Sequence, residues 1–334
     1  MLTISRVKDI IGITEQELVR LNNRSKFIKN NHFYNIKTHE LTPIGNFSTP
    51  SIQELCNSTL LHGTGPEICF NNKVINNNNP VNVRVEEFID IADLQGQLKT
   101  ADKAMVQVAS NFNCLETPNR YITPDNGALI ECLYRDCTQG PAATCGPLAA
   151  SLYRCHFVFE GKGQNHKTQI NLLSDVYKYF SVPINGKITL NGSERIIPKI
   201  EQVYDKIRIG LHADCAVLYS RNRTFDPPYN LIDQVFSSSL NINDYGKHST
   251  NFNQKHMCRT LLRSAYEGIY LSAILRKRKQ LYLTLIGGGS FNNDIDIIVQ
   301  EIKRAHNKYA QYSLLEKVVI CEYNTNAKLV KMFN

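Results

Sequence analysis

The sequence predicts an α/β sandwich built on a largely parallel sheet, and three observations lead there. From about residue 101 onward, short apolar runs alternate with longer helical ones. The short runs are nearly continuous in apolar residues, as in strands buried on both faces. Two of them lead into a helix through a glycine-bearing turn, the arrangement that places ligands outside the carboxyl ends of parallel strands.

The elements follow in chain order. Strands are expected at Met105–Ala109, His156–Phe159, Cys215–Tyr219, Leu281–Ile286 and Val318–Ile320. Helices are expected at Pro141–Arg154, Thr168–Phe180, Met257–Leu275 and Asp294–Tyr309, the last with Ile295, Ile298, Val299 and Ile302 at helical spacing. Asn185-Gly186 and Asn191-Gly192 suggest a hairpin within Pro183–Pro198. Residues 1–100 read as a helical and irregular N-terminal extension, and residues 101–334 as the main domain. In the extension, Thr14 and Glu17 form a capping-box pattern before Leu18-Val19, and Asn76–Asn79 reads as a loop.

Composition narrows the function classes. The net charge of +8 comes from 38 Lys and Arg against 30 Asp and Glu, but the only dense run is Arg276-Lys277-Arg278-Lys279. At the C-terminal end of a helix, that run reads as a solvated cap that complements the helix dipole. No specific nucleic-acid partner is therefore expected. Ten cysteines without a CxxC pair read as reduced, buried thiols, and no metal or other cofactor is expected. No apolar run is long enough to span a membrane, and the N-terminus lacks the pattern of an export signal. A soluble cytoplasmic protein is the expectation.

Three segments carry candidate chemistry. The first strand runs into Ser110-Asn111-Phe112-Asn113-Cys114-Leu115-Glu116, amides and a carboxylate at a strand end, though Asn and Ser also serve turn backbones. The second is Asp136-Cys137-Thr138-Gln139-Gly140-Pro141, entering a small-residue helix, with Asp125 and Glu131 upstream. The third is Gly287-Gly288-Gly289-Ser290-Phe291-Asn292-Asn293, where successive glycines let backbone amides wrap an anion. It matches neither the dinucleotide fingerprint nor a Walker loop.

Together these segments resemble the macrodomain and poly(ADP-ribose) glycohydrolase superfamily over residues 101–325. Val106–Asn113 is similar to the family's strand that ends in an asparagine near the ribose, and Gly287–Asn293 to its second phosphate loop. Two departures stand out: Thr138-Gln139-Gly140-Pro141 replaces a glycine run, and the paired glutamates of the glycohydrolase signature are absent. The aspartates beside Thr-Gln-Gly-Pro look more like a bacterial effector branch that removes ADP-ribose from ubiquitin. The resemblance implies a macrodomain-like three-layer α/β/α sandwich with a mixed sheet. It implies ADP-ribose, or an ADP-ribosylated protein such as ubiquitin, as partner, in the cytoplasm or a host cytosol. Catalysis falls to Asp125, Asp136 and, by weaker analogy, Glu131. Ligand contacts fall to Asn111, Asn113, Thr138, Gln139, Gly140, Gly287, Gly288, Gly289, Ser290, Phe291, Asn292 and Asn293.

Two other patterns carry less. Cys215 and Arg221 have phosphatase-like spacing, but Ala216–Ser220 between them reads as strand rather than as an anion cradle. His156 and His212 read as hydrogen-bonded structural histidines. A non-catalytic ADP-ribose reader, and an inactive scaffold binding a partner through residues 1–100, are the rival functions.

Overall fold

The computed structural model of the 334-residue chain describes residues 6–59, 81–88, 91–119, 121–134, 136, 138–179, 185–188, 201–220, 223–242, 252–323 and 327–333. The N-terminal part carries α1 (Arg6–Ile11), α2 (Glu15–Val19), β1 (Ile28–Lys29), β2 (His32–Tyr34), β3 (Leu41–Pro43), β4 (Asn46–Ser48), α3 (Ile52–Thr59), β5 (Val83–Glu87) and α4 (Ile91–Gln97). There follow β6 (Ala104–Ala109), α5 (Leu129–Leu133), α6 (Gln139–Cys145), α7 (Leu148–His156), β7 (Gly210–Ala216) and β8 (Leu231–Ser237). The chain continues with α8 (Phe252–Leu275), β9 (Gln280–Leu283), α9 (Ile295–Tyr309), β10 (Lys317–Glu322) and α10 (Ala327–Phe333).

The main sheet has seven strands in the order β4-β7-β8-β6-β9-β10-β5. Strands β8, β6, β9, β10 and β5 are parallel neighbours, and β7 runs antiparallel between β8 and β4. Alternation along β6 sends Val106 and Val108 into one core and Met105 into the other. Helices α3, α8 and α9 pack together on the Met105 side, whereas α6 packs on β6 and against α4 on the other. This is a three-layer α/β/α sandwich with a mixed, largely parallel sheet.

Residues 1–100 do not form a separate extension: β4 and β5 supply both outer strands of the main sheet. A three-stranded antiparallel sheet β1-β2-β3 lies beside them. The N-terminal region is also anchored chemically. The capping box on α2 forms as expected, with the Glu17 N–H donating to Thr14 Oγ1 at 3.2 Å and the Thr14 N–H to Glu17 Oε2 at 2.7 Å. The next residue, Glu15, is fully buried and accepts from Ile130 N at 3.0 Å, with His156 Nε2 at 2.8 Å. Asn76–Asn79 and most of Pro183–Pro198 lie outside the described residues.

Several elements differ from expectation for identifiable reasons. His156 ends α7 rather than opening a strand, because its ring reaches Glu15. Chain 168–180 forms a short 3-10 turn, Ser174–Tyr179, instead of a helix. The strand expected at Cys215–Tyr219 is the end of β7; beyond Ala216, the Val217 and Leu218 amides bond Asn230 O and Gly146 O instead. Strand β8 was hidden by Asp233 and Gln234 at its centre. Both are fully buried, so the polar pair interrupts the apolar run without exposing the strand.

The basic run resolves with it. Asp233 accepts from Arg276 Nε at 3.0 Å and from Arg278 Nε at 2.6 Å, while Asp214 accepts from Arg276 Nη2 at 2.7 Å. Lys279 pairs with Glu316. Three of the four basic side chains are therefore tied into the fold rather than presented as a solvated cap. His212 is also structural: its Nε2 donates to Ile44 O at 3.1 Å while Arg154 donates to its Nδ1 at 3.0 Å. Burial and the Arg154 charge hold the ring well below the usual histidine pKa. Eight described cysteines are free thiols. Among the described residues no helix is long and apolar enough to cross a membrane.

The Asp233 cluster yields a stability test. Removing one partner of a buried ion pair typically costs on the order of 3–5 kcal/mol, because the remaining charges stay desolvated. Asp233→Ala should lose stability of that order in urea denaturation, whereas Glu316→Ala, at an exposed pair, should change it by less than about 1 kcal/mol.

Candidate active site

A cleft of about 570 Å³ opens at the carboxyl ends of the parallel strands. Its origin lies in strand pairing. Strand β6 stays paired with β8 through Ala109↔Ser237, but its pairing with β9 stops at Val106↔Tyr282. Beyond that point the β9-facing edge of β6 has no strand neighbour, and buried backbone groups require other partners. The Gln139 side chain supplies them: Nε2 donates to Gln107 O at 2.8 Å, and Oε1 accepts from Ala109 N at 3.0 Å. From β6, the Gln107 side chain accepts from Thr284 N at 3.3 Å. Two glutamines thus close the backbone of a gap that remains open above.

The loop after β9 forms one wall. Tyr266, buried on α8, donates to Thr284 O at 2.8 Å and accepts from Ile286 N at 3.1 Å, so the strand end is held from beneath. Gly287 takes φ +73°, a left-handed conformation suited to glycine. A Cβ there would also run into Ser239 Oγ. Asn293 closes the turn: its N–H donates to Gly287 O at 2.9 Å, and its Nδ2 to Leu240 O at 2.8 Å. Among the described residues, the N–H groups of Gly287, Gly289 and Phe291 have no acceptor. Gly289 has open space where a Cβ would stand. Unpaired amides along a glycine turn make an anion cradle without a cationic side chain.

The facing wall brings together Ser110, Glu116, Thr138, Gln139 and Gly140. At Gly140 a Cβ would collide with Ala109 O and lie 2.9 Å from the Glu116 carboxyl carbon, so only glycine lets α6 approach this closely. Glu116 has no hydrogen-bond or ion-pair partner among the described residues. Burial raises its carboxyl pKa to about 8, with Lys187 acting downward and Asp136 upward.

The expected site residues divide accordingly. Thr138, Gln139, Gly140, Gly287, Gly288, Gly289, Ser290 and Phe291 line the cleft, although both polar atoms of the Gln139 side chain are engaged with β6. Asn292 and Asn293 lie outside the lining and shape the turn. Asn111 and Asn113 are buried beside it rather than in it. Asn111 donates to Thr117 Oγ1 at 3.2 Å, and Asn113 Oδ1 accepts from Leu115 N at 3.1 Å.

Neither Asp125 nor Asp136 lines the cleft. Exposed Asp136 accepts from Thr138 N at 2.8 Å and Thr138 Oγ1 at 2.7 Å. Asp125 is also exposed; it accepts from Thr123 Oγ1 and lies 3.7 Å from His166. Glu131 lies on α5, with its side chain outside the described residues. Among the described residues, the carboxyls in the lining are Glu116 and Glu322, at the end of β10. Sequence reading passed over both as site residues. The available signal for Glu116 was its position as the one carboxylate in the loop directly after β6.

No family model and no curated protein matches the chain. Among solved structures, it is similar to poly(ADP-ribose) glycohydrolase from Deinococcus radiodurans in complex with ADP-ribose. The identity is 10% over 86% of this chain and 91% of that one, with a TM-score of 0.47. It is also similar to the Thermomonospora curvata poly(ADP-ribose) glycohydrolase, at 10% identity over 95% and 96% of the two chains and a TM-score of 0.45. The latter enzyme was also solved with the inhibitor ADP-HPD, at 11% identity and a TM-score of 0.44. The chemistry of this cleft follows from its own residues.

The two glycines make a paired test. Gly287→Ala forces a side chain into a left-handed turn, costing about 1–2 kcal/mol before the collision with Ser239 is added. Gly289→Ala meets no neighbour. Thermal denaturation should show a clear drop in Tm for Gly287→Ala and almost none for Gly289→Ala.

Proposed function

We propose that the cleft binds ADP-ribose and that the protein hydrolyses the bond joining ADP-ribose to a modified target. The observation that carries this reading is the pairing, in one cleft, of unpaired glycine-turn amides with a carboxyl, Glu116, that has no partner among the described residues and whose pKa burial raises. The amides suit a diphosphate; the carboxyl suits a departing glycosidic atom. The resemblance of Val106–Asn113 and Gly287–Asn293 to the macrodomain and glycohydrolase superfamily supports the same ligand. Ubiquitin as the modified protein, and action in a host cytosol, rest on that sequence resemblance alone.

With its pKa near 8, Glu116 is mainly protonated at neutral pH. The bond from the anomeric carbon breaks, its electron pair goes to the leaving oxygen or nitrogen, and that atom takes the Glu116 proton. Water then adds to the oxocarbenium-like carbon and returns a proton to the Glu116 carboxylate. Asp136 acts on this group through charge, since its carboxylate favours the protonated form of Glu116. In this reading Asp125, exposed and bonded to Thr123, takes no part in the step.

The acid role sets a sign for the pH profile. The protonated form persists below about 8 and is lost above it, so turnover should fall as pH rises through that value. Glu116→Gln should lower single-turnover hydrolysis by about 10²–10⁴-fold while calorimetry still detects ADP-ribose. Asp136→Asn removes a charge that raises the Glu116 pKa, so the alkaline limb should move to lower pH with a smaller loss of rate. Full activity in Glu116→Gln would exclude this mechanism. Binding without turnover by the parent on every linkage tested would make the protein a reader.

A further inference from the structure

The carboxyl of Glu116 sits at the end of a loop with an uncommon backbone. After β6 the chain turns back on itself: Asn111 N donates to Leu115 O at 2.9 Å, and Cys114 N donates to Asn111 O at 3.0 Å. Cys114 takes φ +59°, a left-handed conformation that is strained for a residue with a Cβ. Glu116 follows two residues later. Such a turn persists only where its surroundings hold it.

Two buried side chains hold it, one carbonyl each. Arg154 Nε, from α7, donates to Cys114 O at 3.3 Å, and Gln164 Nε2 donates to Asn113 O at 3.1 Å. The pair is joined, since Gln164 Nε2 also donates to Arg154 O at 3.0 Å, while its Oε1 accepts from Ile170 N at 3.0 Å.

Arg154 is the costly member. Its guanidinium is fully buried, and among the described residues no carboxylate pairs with it. Its other donors go to neutral acceptors, His212 Nδ1 and Ser151 Oγ, both at 3.0 Å, and its Cζ lies 3.9 Å from the centre of the Phe236 ring. No thiolate balances it near neutrality: burial pushes Cys114 up to about 12 and raises Cys155 and Cys215 as well. An apolar side chain of similar volume would fill this place without desolvating a charge. It could not donate to Cys114 O while also bonding α7 and β7.

We infer that Arg154, together with Gln164, is a positioning residue that fixes the Cys114 turn and thereby keeps Glu116 buried at the cleft wall. This rests on the reading of Glu116 as the acid, and it gives neither residue a contact with the ligand.

The test sets hydrolysis beside carboxyl-carbon NMR titration of glutamate-labelled full chain, with the Glu116 signal assigned by its absence in Glu116→Gln. Arg154→Lys keeps the charge but loses the planar, forked donor set. In that variant kcat should fall by about tenfold or more, with KM within about threefold of the parent. The Glu116 midpoint should drop by about one pH unit or more, as the loosened loop admits water. Gln164→Met leaves the buried charge in place and should move both readouts the same way by less. Lys187 and Asp136, which act on Glu116 through charge, are unchanged in each variant, so the midpoint reports the loop. Asp233→Ala, destabilised at the Arg276 and Arg278 cluster, is the control and should keep the parent's midpoint. Variants that lose only thermal stability while keeping the parent's midpoint and kcat overturn the inference. So do equal movement in the control and a parent Glu116 that titrates in the ordinary carboxylate range. A midpoint that moves in the variants, where the parent hydrolyses no linkage tested, retains the positioning role and rejects the hydrolase reading.

Discussion

The site depends on one place where strand pairing runs out. β6 and β9 pair for three positions and then part, while β6 continues alongside β8. A parallel sheet that separates at its carboxyl edge leaves a crevice, and the same separation exposes backbone groups that an apolar interior cannot tolerate unpaired. Gln139 and Gln107 meet that demand with side-chain amides. They bridge the edge without filling the space above it, as a further strand would. The close approach of α6 follows, since Gln139 can reach β6 only if the next residue, Gly140, has no side chain.

From this arrangement comes an electrostatic one. Among the described residues, the cleft lining contains no Lys, Arg or His. What these residues offer an anion is backbone amides, whose dipoles are fixed before any ligand arrives and need little reorganisation. Burial beside this wall outweighs the distant pull of Lys187 and pushes the Glu116 carboxyl up to about 8. Anion cradle and carboxylic acid are two consequences of one weakly charged wall.

The layer architecture was legible in the sequence because buried parallel strands are nearly continuous apolar runs; β6, β9, β10 and the two long helices α8 and α9 were all visible. Strand β8 was not, because Asp233 and Gln234 carry partners from distant segments, Arg276 and Arg278 for one and Gln95 for the other. The edge strands β4 and β5 were missed because each is short and draws its register from a neighbour far along the chain. At the site, the glycine turn could be read locally, since successive glycines report a backbone requirement. The carboxyls could not. Asp125 and Asp136 lie close in sequence to the Thr138–Pro141 turn, but their own turns hold them outside the cleft. Glu116 reaches the cleft through loop geometry, supported by buried Asn111 and Asn113. Those two asparagines looked like ligand contacts because strand-end amides serve ligands and turns with the same chemistry.

The central claim is that the amides of the Gly287–Phe291 turn hold the ligand's diphosphate. Amide hydrogen exchange with and without saturating ADP-ribose tests it most directly, because Gly287, Gly289 and Phe291 have no acceptors among the described residues until a ligand supplies them. Slowed exchange concentrated at those three residues is the predicted result. Unchanged exchange there, in a protein shown by calorimetry to be saturated with ADP-ribose, would contradict the account.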